Sequence, residues 1–290
     1  MTDIAGAPIV VGVDGSAPSD NAVRLAARMA AGRRRPLHIV HAFVWPLLNI
    51  PLGPPPGGPP DSGLTHGAER IVADAATLAR NAEPGLEVST EVISGTPAGV
   101  LVQVAEGAAL VVLGDRGLGG FGSLMLGSVG VEVASHAPCP VVITRGQPDR
   151  AGEVLVGVDA SPDGAHALAF AFDEAARRGV GIVALHAYTH PVAMYPGDML
   201  LPVFDRDQLE NEERLVLREA LAGYQERYPS TQVRSVLVQE SAARALVHAS
   251  GEASLVVVGS RGLGGFKGLA LGSVSHAVMH HAACPVAVVR

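Results

Sequence analysis

The sequence predicts an α/β protein made of two tandem doubly wound domains, each a five-stranded, mainly parallel sheet with helices on both faces. Three observations predict it. Short β-branched apolar runs alternate with stretches of helical periodicity, the pattern of strands joined by right-handed helical crossovers. The whole pattern recurs at a constant offset of 145 residues. In each half a glycine frame, Gly-x2-Gly-x9-Gly-Ser, follows a strand and leads into a helix: Gly114, Gly117, Gly127-Ser128, then Gly259, Gly262, Gly272-Ser273.

The offset superimposes Val11-Gly12-Val13-Asp14 on Val156-Gly157-Val158-Asp159, His41-Ala42 on His186-Ala187 and Arg145 on Arg290. Residues 110–145 match 255–290 at 22 of 36 positions, which makes the chain a tandem duplication. The expected domains are 1–145 and 153–290, separated by a turn-rich linker at 146–152.

In order, Ile9 to Asp14 reads as a buried strand and Ser16 to Ala31 as a helix opened by a serine cap. Leu37 to Phe43 is a second strand. The proline-rich insert Pro46 to Pro60 suits neither helix nor central strand and is expected as a surface loop. Helical spacing resumes at His66 to Asn81, followed by a strand at Glu87 to Ile93 and a helix at Pro97 to Glu106. A strand at Leu110 to Gly114, the glycine loop, a helix at Ser128 to His136 and a strand at Val141 to Thr144 complete the half. The second half repeats the order, with Pro191 to Pro202 as the counterpart insert. Its long helix, Arg206 to Arg227, places Leu209, Leu215, Leu217 and Leu221 on an expected apolar face.

Composition excludes several classes. The chain has 290 residues, 48% of them hydrophobic and 17% charged, which is globular rather than disordered. No apolar run approaches a membrane span, and the start lacks a basic segment followed by an apolar core, so a cytoplasmic protein is expected. The net charge of −7 is shared by both halves, leaving no basic face for nucleic acid or anionic lipid. Arg33-Arg34-Arg35 reads as a solvated helix end, where cations suit the dipole. Cys139 and Cys284, each before a proline, are too few and too far apart for a zinc ribbon or redox pair and are expected to be buried thiols.

The frame can hold phosphate because glycine permits positive φ and close approach of backbone N–H groups, while its closing Gly-Ser stands where free N–H groups and a helix dipole favour an anion. A lone copy would serve equally as a simple turn; two copies at one spacing argue for a site. The chain has no Walker phosphate loop, and its one lysine is Lys267. Gly117, Gly119 and Gly122 spell the dinucleotide fingerprint, but after the fourth strand rather than the first, and the repeat breaks it at Lys267. His41 and His186 read as hydrogen-bonded structural groups, and adjacent His280-His281 do not share a helix face for a metal. Asp14 and Asp159, just past buried strands, suit a helix-start acceptor, a nucleotide contact, or both.

These motifs, with Cys139-Pro140-Val141-Val142 and its partner, resemble a tandem universal stress protein of the ATP-binding branch, over almost all of both halves. The resemblance implies strand order 3-2-1-4-5 in each domain, with ligand at the winding reversal between first and fourth strands. It implies one ATP site per domain, with Mg²⁺ as a companion. In the first, Gly12, Asp14 and Ala42 would meet the adenosine; Gly114, Asp115, Arg116, Gly117, Leu118, Gly119 and Gly120 would wrap ribose and phosphates. Gly127, Ser128 and Val129 would hold the distal phosphates. In the second, Gly157, Asp159 and Ala187, then Gly259, Ser260, Arg261, Gly262, Leu263, Gly264 and Gly265, then Gly272, Ser273 and Val274 would take the same roles.

The second loop carries Ser260 for Asp115 and Lys267 for Gly122, so tighter phosphate binding is expected there. The resemblance also implies that the last strand of each half pairs with the other within the chain; a further homodimer is expected. With no recognisable general base or arginine finger, the expected function is a nucleotide-dependent stress-response regulator that holds ATP. A slow ATPase and a non-catalytic stress scaffold are the alternatives. A ligase-like enzyme would need a phosphate loop such as S-G-G-x-D-S in the first βα turn, and Asp14-Gly15-Ser16-Ala17 does not match it.

Overall fold

The computed structural model describes residues 6–44, 64–117, 126–189, 206–263 and 270–290. Both proline-rich inserts and the centres of both glycine loops lie outside these residues.

The first domain runs β1 (Ile9–Gly12), α1 (Ala17–Arg33), β2 (Leu37–Phe43), α2 (Leu64–Ala82), β3 (Val88–Ser94), α3 (Pro97–Ala105), β4 (Leu110–Gly114), α4 (Ser128–His136) and β5 (Val141–Thr144). The second repeats it with β6 (Val154–Gly157), α5 (Pro162–Arg178), β7 (Ile182–Tyr188), α6 (Arg206–Arg227), β8 (Val233–Gln239), α7 (Ala242–Ala249), β9 (Leu255–Gly259), α8 (Ser273–His281) and β10 (Val286–Val289). The order 3-2-1-4-5 holds in each domain. The two sheets join into one of ten strands, β3-β2-β1-β4-β5-β10-β9-β6-β7-β8.

Strands are parallel within each domain, and the side chains of the inner strands are buried on both faces by helices, whereas the outer strands β3 and β8 are half-buried or exposed. One core layer lies under α1, α2, α5 and α6 and the other under α3, α4, α7 and α8. Cys139 and Cys284 are buried in the second layer, where desolvation pushes each thiol up to about 12. On α6 the buried face is Leu217 and Leu221 with Tyr224 behind them; Leu215, expected on that face, is 48% exposed, being two residues and so about 200° from Leu217.

Strand β1 stops at Gly12, two residues before the expected end. The chain turns there into α1, with Gly15 at φ +81°. The counterpart, Ala160, adopts φ +55° with a side chain, a conformation that costs roughly 1 kcal/mol in a non-glycine residue.

The domains meet where β5 and β10 pair antiparallel, with Val142 opposite Ala287, so neither last strand is left as an edge. Each strand ends in an arginine that reaches the other domain. Arg145 Nε donates to the Ala282 carbonyl at 3.0 Å, just past the end of α8. Arg290 donates to the Ala134 and Ser135 carbonyls near the end of α4 and, at 3.1 Å, to Ala270 beside its own glycine loop. A guanidinium at a helix C-terminus satisfies carbonyls that have no partner within the helix and complements the dipole.

On the opposite face α1 lies against α5, and the expectation of a solvated Arg33 fails. Its side chain is 9% exposed and paired with Glu174, which is 3% exposed and also receives Arg178 Nε at 2.6 Å. The helix end that a single domain would solvate is covered by its duplicate. Burial alone would push the Glu174 carboxyl up; the two guanidiniums overcome it and hold the group below its ordinary value. Arg34 forms the left-handed helix cap, and Arg35 donates to the Ala7 carbonyl at 2.9 Å.

Candidate functional site

In each domain the winding reverses between the first and fourth strands, β1 and β4 or β6 and β9, which opens a crevice at their carboxyl ends. Its first wall is the turn into the next helix. Asp14 Oδ1 accepts from Ser16 N at 3.0 Å and Ser16 Oγ at 2.6 Å; Asp159 does the same with Ser161 at the same two distances. Each serine oxygen then caps its helix, accepting from Ser19 N at 3.4 Å or Gly164 N at 3.0 Å. Both aspartates thus order the turn, the Asx pattern of a residue bonding the backbone two positions on.

The second wall is the glycine frame, which closes on itself. Gly127 N donates to Asp115 O at 2.8 Å and Gly272 N to Ser260 O at 2.7 Å, so the nine-residue spacer returns the chain to the strand end it left. Four of the six described frame glycines, Gly114, Gly117, Gly259 and Gly262, are needed for close approach. None of them has positive φ, which corrects that part of the sequence reading. A Cβ on Gly117 would sit 2.5 Å from Asp14 Oδ2, and one on Gly262 2.5 Å from Asp159 Oδ2. A Cβ on Gly114 or Gly259 would press on the backbone at the start of α1 or α5, at 2.9 and 3.0 Å.

Helices α1 and α5 begin with a capping serine, but α4 and α8 begin at Gly127 and Gly272, which have no side chain to cap with. The first-turn N–H groups of α4 and α8 are left without a side-chain acceptor, at the positive end of the dipole. In the second domain these residues line a cavity of about 800 Å³. Its walls contain Gly157, Asp159, Ala187, Gly259, Arg261, Gly262, Leu263, Gly272, Ser273 and Val274. Gly12, Asp14, Ala42, Gly114, Asp115, Arg116, Gly117, Gly127, Ser128 and Val129 hold the matching positions in the first domain. Leu118, Gly119, Gly120, Gly264 and Gly265 lie outside the described residues, as do Gly122 and Lys267.

Ser260 departs from the expectation. It is fully buried, and its Oγ donates to Asp163 Oδ2 at 2.8 Å. That carboxylate also accepts from Arg261 N at 3.2 Å and faces Arg261 Nε at 3.4 Å. In the first domain Asp115 makes the matching ion pair with Arg116, also at 3.4 Å, while Pro18 stands at the position of Asp163. The acid missing from the second loop is therefore restored from α5. The expectation of tighter binding, which counted one acid fewer there, loses half its basis.

Both strand histidines are hydrogen-bonded to backbone, as expected. His41 Nδ1 lies 2.7 Å from the Val13 carbonyl and His186 Nδ1 2.6 Å from that of Val158. His186 Nε2 also meets Glu213 Oε2 at 2.7 Å, and both residues line the second cavity. Sequence reading missed Glu213; Ala68 is its counterpart under the offset, and that difference is the one signal in the sequence.

Among the described residues no three His, Cys, Asp or Glu side chains cluster as metal ligands. Asp159 has both oxygens on protein donors, the second taking Leu263 N at 3.2 Å. This donor set does not build a protein cage for Mg²⁺.

The fold and crevice define a duplicated α/β protein with the same glycine frame beside the winding reversal in each half. The universal stress protein family model matches residues 7–145 and 152–290, and the chain belongs to that family. It is 41% identical over 292 residues to the universal stress protein Rv2005c of Mycobacterium tuberculosis, covering 97% of this chain and 96% of that protein. A universal stress protein of Mycolicibacterium smegmatis is 39% identical over 294 residues, with the same coverage. Among solved structures, a universal stress protein from Archaeoglobus fulgidus shares the fold, with a TM-score of 0.69 at 19% identity over 98% of each chain.

Proposed function

We propose that each domain binds one ATP and that the chain acts as a nucleotide-dependent stress-response regulator rather than an enzyme. The observation that carries this reading is the cavity of about 800 Å³ whose floor is the uncapped start of α8. Its size suits a nucleotide, and its free N–H groups suit phosphate. In the proposed pose Gly272, Ser273 and Val274 take the distal phosphates, Arg261 and the frame glycines take the ribose and inner phosphates, and Ala187 offers backbone to the adenine edge. The first site repeats this with Gly127, Ser128 and Val129, Arg116, and Ala42.

Holding rather than hydrolysing ATP is supported by how the polar groups of the second crevice are already used. Hydrolysis calls for a polar group free to position the attacking water. Both nitrogens of His186 face acceptors, Asp159 bonds the turn and the loop, and Asp163 bonds Ser260 and Arg261.

The test is mass spectrometry of ligand released from the purified chain, repeated on Gly127→Glu and Gly272→Glu. A Cβ on Gly127 meets nothing nearer than 3.6 Å, so the added carboxylate tests charge rather than space. Adenine nucleotide in the wild type, reduced in each variant, supports the reading; its absence from the wild type and after incubation with ATP contradicts it.

A further inference from the structure

The junction between the domains holds a second recess, about 440 Å³ in volume, between α1, α5 and the linker. It shares no lining residue with the second-domain cavity. Five guanidiniums line it: Arg28 and Arg33 from α1, Arg150 from the linker, Arg177 and Arg178 from α5.

Three carboxylates answer them. Asp149 pairs with Arg28 at 2.6 Å, Glu174 with both Arg33 and Arg178, and Asp173 with Arg177 at 2.9 Å. Among the described residues the Arg150 side chain meets the neutral Gln147 Oε1, at 3.3 Å, and no carboxylate. Five positive groups against three negative leave two positive charges in excess.

Duplication does not force that excess. Under the offset of 145 residues Arg33 corresponds to Arg178, but Met29 stands where Glu174 supplies its carboxylate, and Gly32 where Arg177 stands. The buried ion triad needs only Arg33, Glu174 and Arg178 to tie α1 to α5. The triad itself carries one positive charge in excess and Arg150 adds the second, while Arg177 brings a further guanidinium with Asp173 as its counter-charge.

We infer that this recess is an anion site for a compact diphosphate. The surplus of positive charge suits a polyanion, the volume admits a diphosphate, and guanidinium forks bond phosphate oxygens in pairs. A diphosphate there would bond the linker and both domains at once, so occupancy would stiffen the junction. The site is independent of the ATP reading, since it uses none of the crevice residues.

Isothermal titration of the full chain with inorganic pyrophosphate tests it. In the Gly127→Glu/Gly272→Glu chain, whose crevices are blocked, one pyrophosphate per chain is expected to remain. Adding Arg150→Gln and Arg177→Gln, both at solvent-reached positions, should weaken it by about tenfold or more. Asp149→Asn, which removes a mostly exposed acid, should tighten it, a sign that a purely structural role would not produce. Should the glycine variants fail to fold, the wild type is expected to bind one more pyrophosphate than Arg150→Gln/Arg177→Gln. No binding in the blocked chain, or binding indifferent to the arginines and to Asp149, overturns the inference.

Discussion

The two crevices share one backbone design but anchor it with different side chains. In the first, the acid that faces the loop arginine, Asp115, belongs to the loop itself. In the second, Asp163 reaches over from α5 and holds Ser260 as well as Arg261. The first loop therefore carries its own counter-charge, whereas the second is tied to the helix beneath it. Duplication has kept the shape of the crevice and the balance of charge beside it, while moving the residue that provides the balance.

The largest expected effect tests whether both halves bind. Gly272→Glu places a carboxylate at the start of α8, against the helix dipole and where phosphate would lie. We expect about a hundredfold loss of ATP affinity at the second site alone, from lost N–H contacts and charge repulsion together. Gly127→Glu should do the same at the first site alone. Loss at both sites from one replacement would break the comparison.

Next is the junction. Glu174→Gln leaves Arg33 and Arg178 facing each other in a buried setting, and breaking such a pair costs about 3 kcal/mol. Chemical denaturation should show it as a lower midpoint. The same carboxylate makes a pH prediction. Its pKa is held below the ordinary 4.5 in the folded chain, so its contribution is complete above that value and is lost as pH falls through the lower folded value. The wild type should therefore lose stability on acidification more steeply than Glu174→Gln.

A smaller effect separates the two anchors. Asp163→Asn removes the charge that holds Arg261, and we expect the second site to change affinity by about tenfold while the first is unmoved. Asp115→Asn should show the reverse pattern, with a smaller change, because Asp115 is paired with Arg116 whereas Asp163 holds Ser260 as well as Arg261.

Smallest is Ala160→Gly, which relieves a left-handed alanine where the first domain already has Gly15. It should stabilise the chain by roughly 1 kcal/mol, less the entropy glycine adds to the unfolded state. A fall in thermal midpoint would contradict the strain argument.

The strands and the position of both frames were legible because buried parallel strands write themselves as continuous Val, Ile and Leu runs, and the offset checks each run against its copy. The strand order followed from the family resemblance rather than from the pattern. What the sequence hid were contacts between distant residues. Arg33 looked solvated because its partner, Glu174, lies 141 positions away in the other domain. Asp163 and Glu213 were hidden for the same reason, although each stands where the duplication changes residue type, from Pro18 and from Ala68. Inside an internal repeat, the positions where the copies disagree are the ones to inspect first.

The central claim is that both frames are nucleotide sites, and counting them is the direct test. Titration of ATP into nucleotide-free chain should give two equivalents bound per chain, falling to one in either Gly127→Glu or Gly272→Glu. One equivalent or none in the wild type would contradict the account.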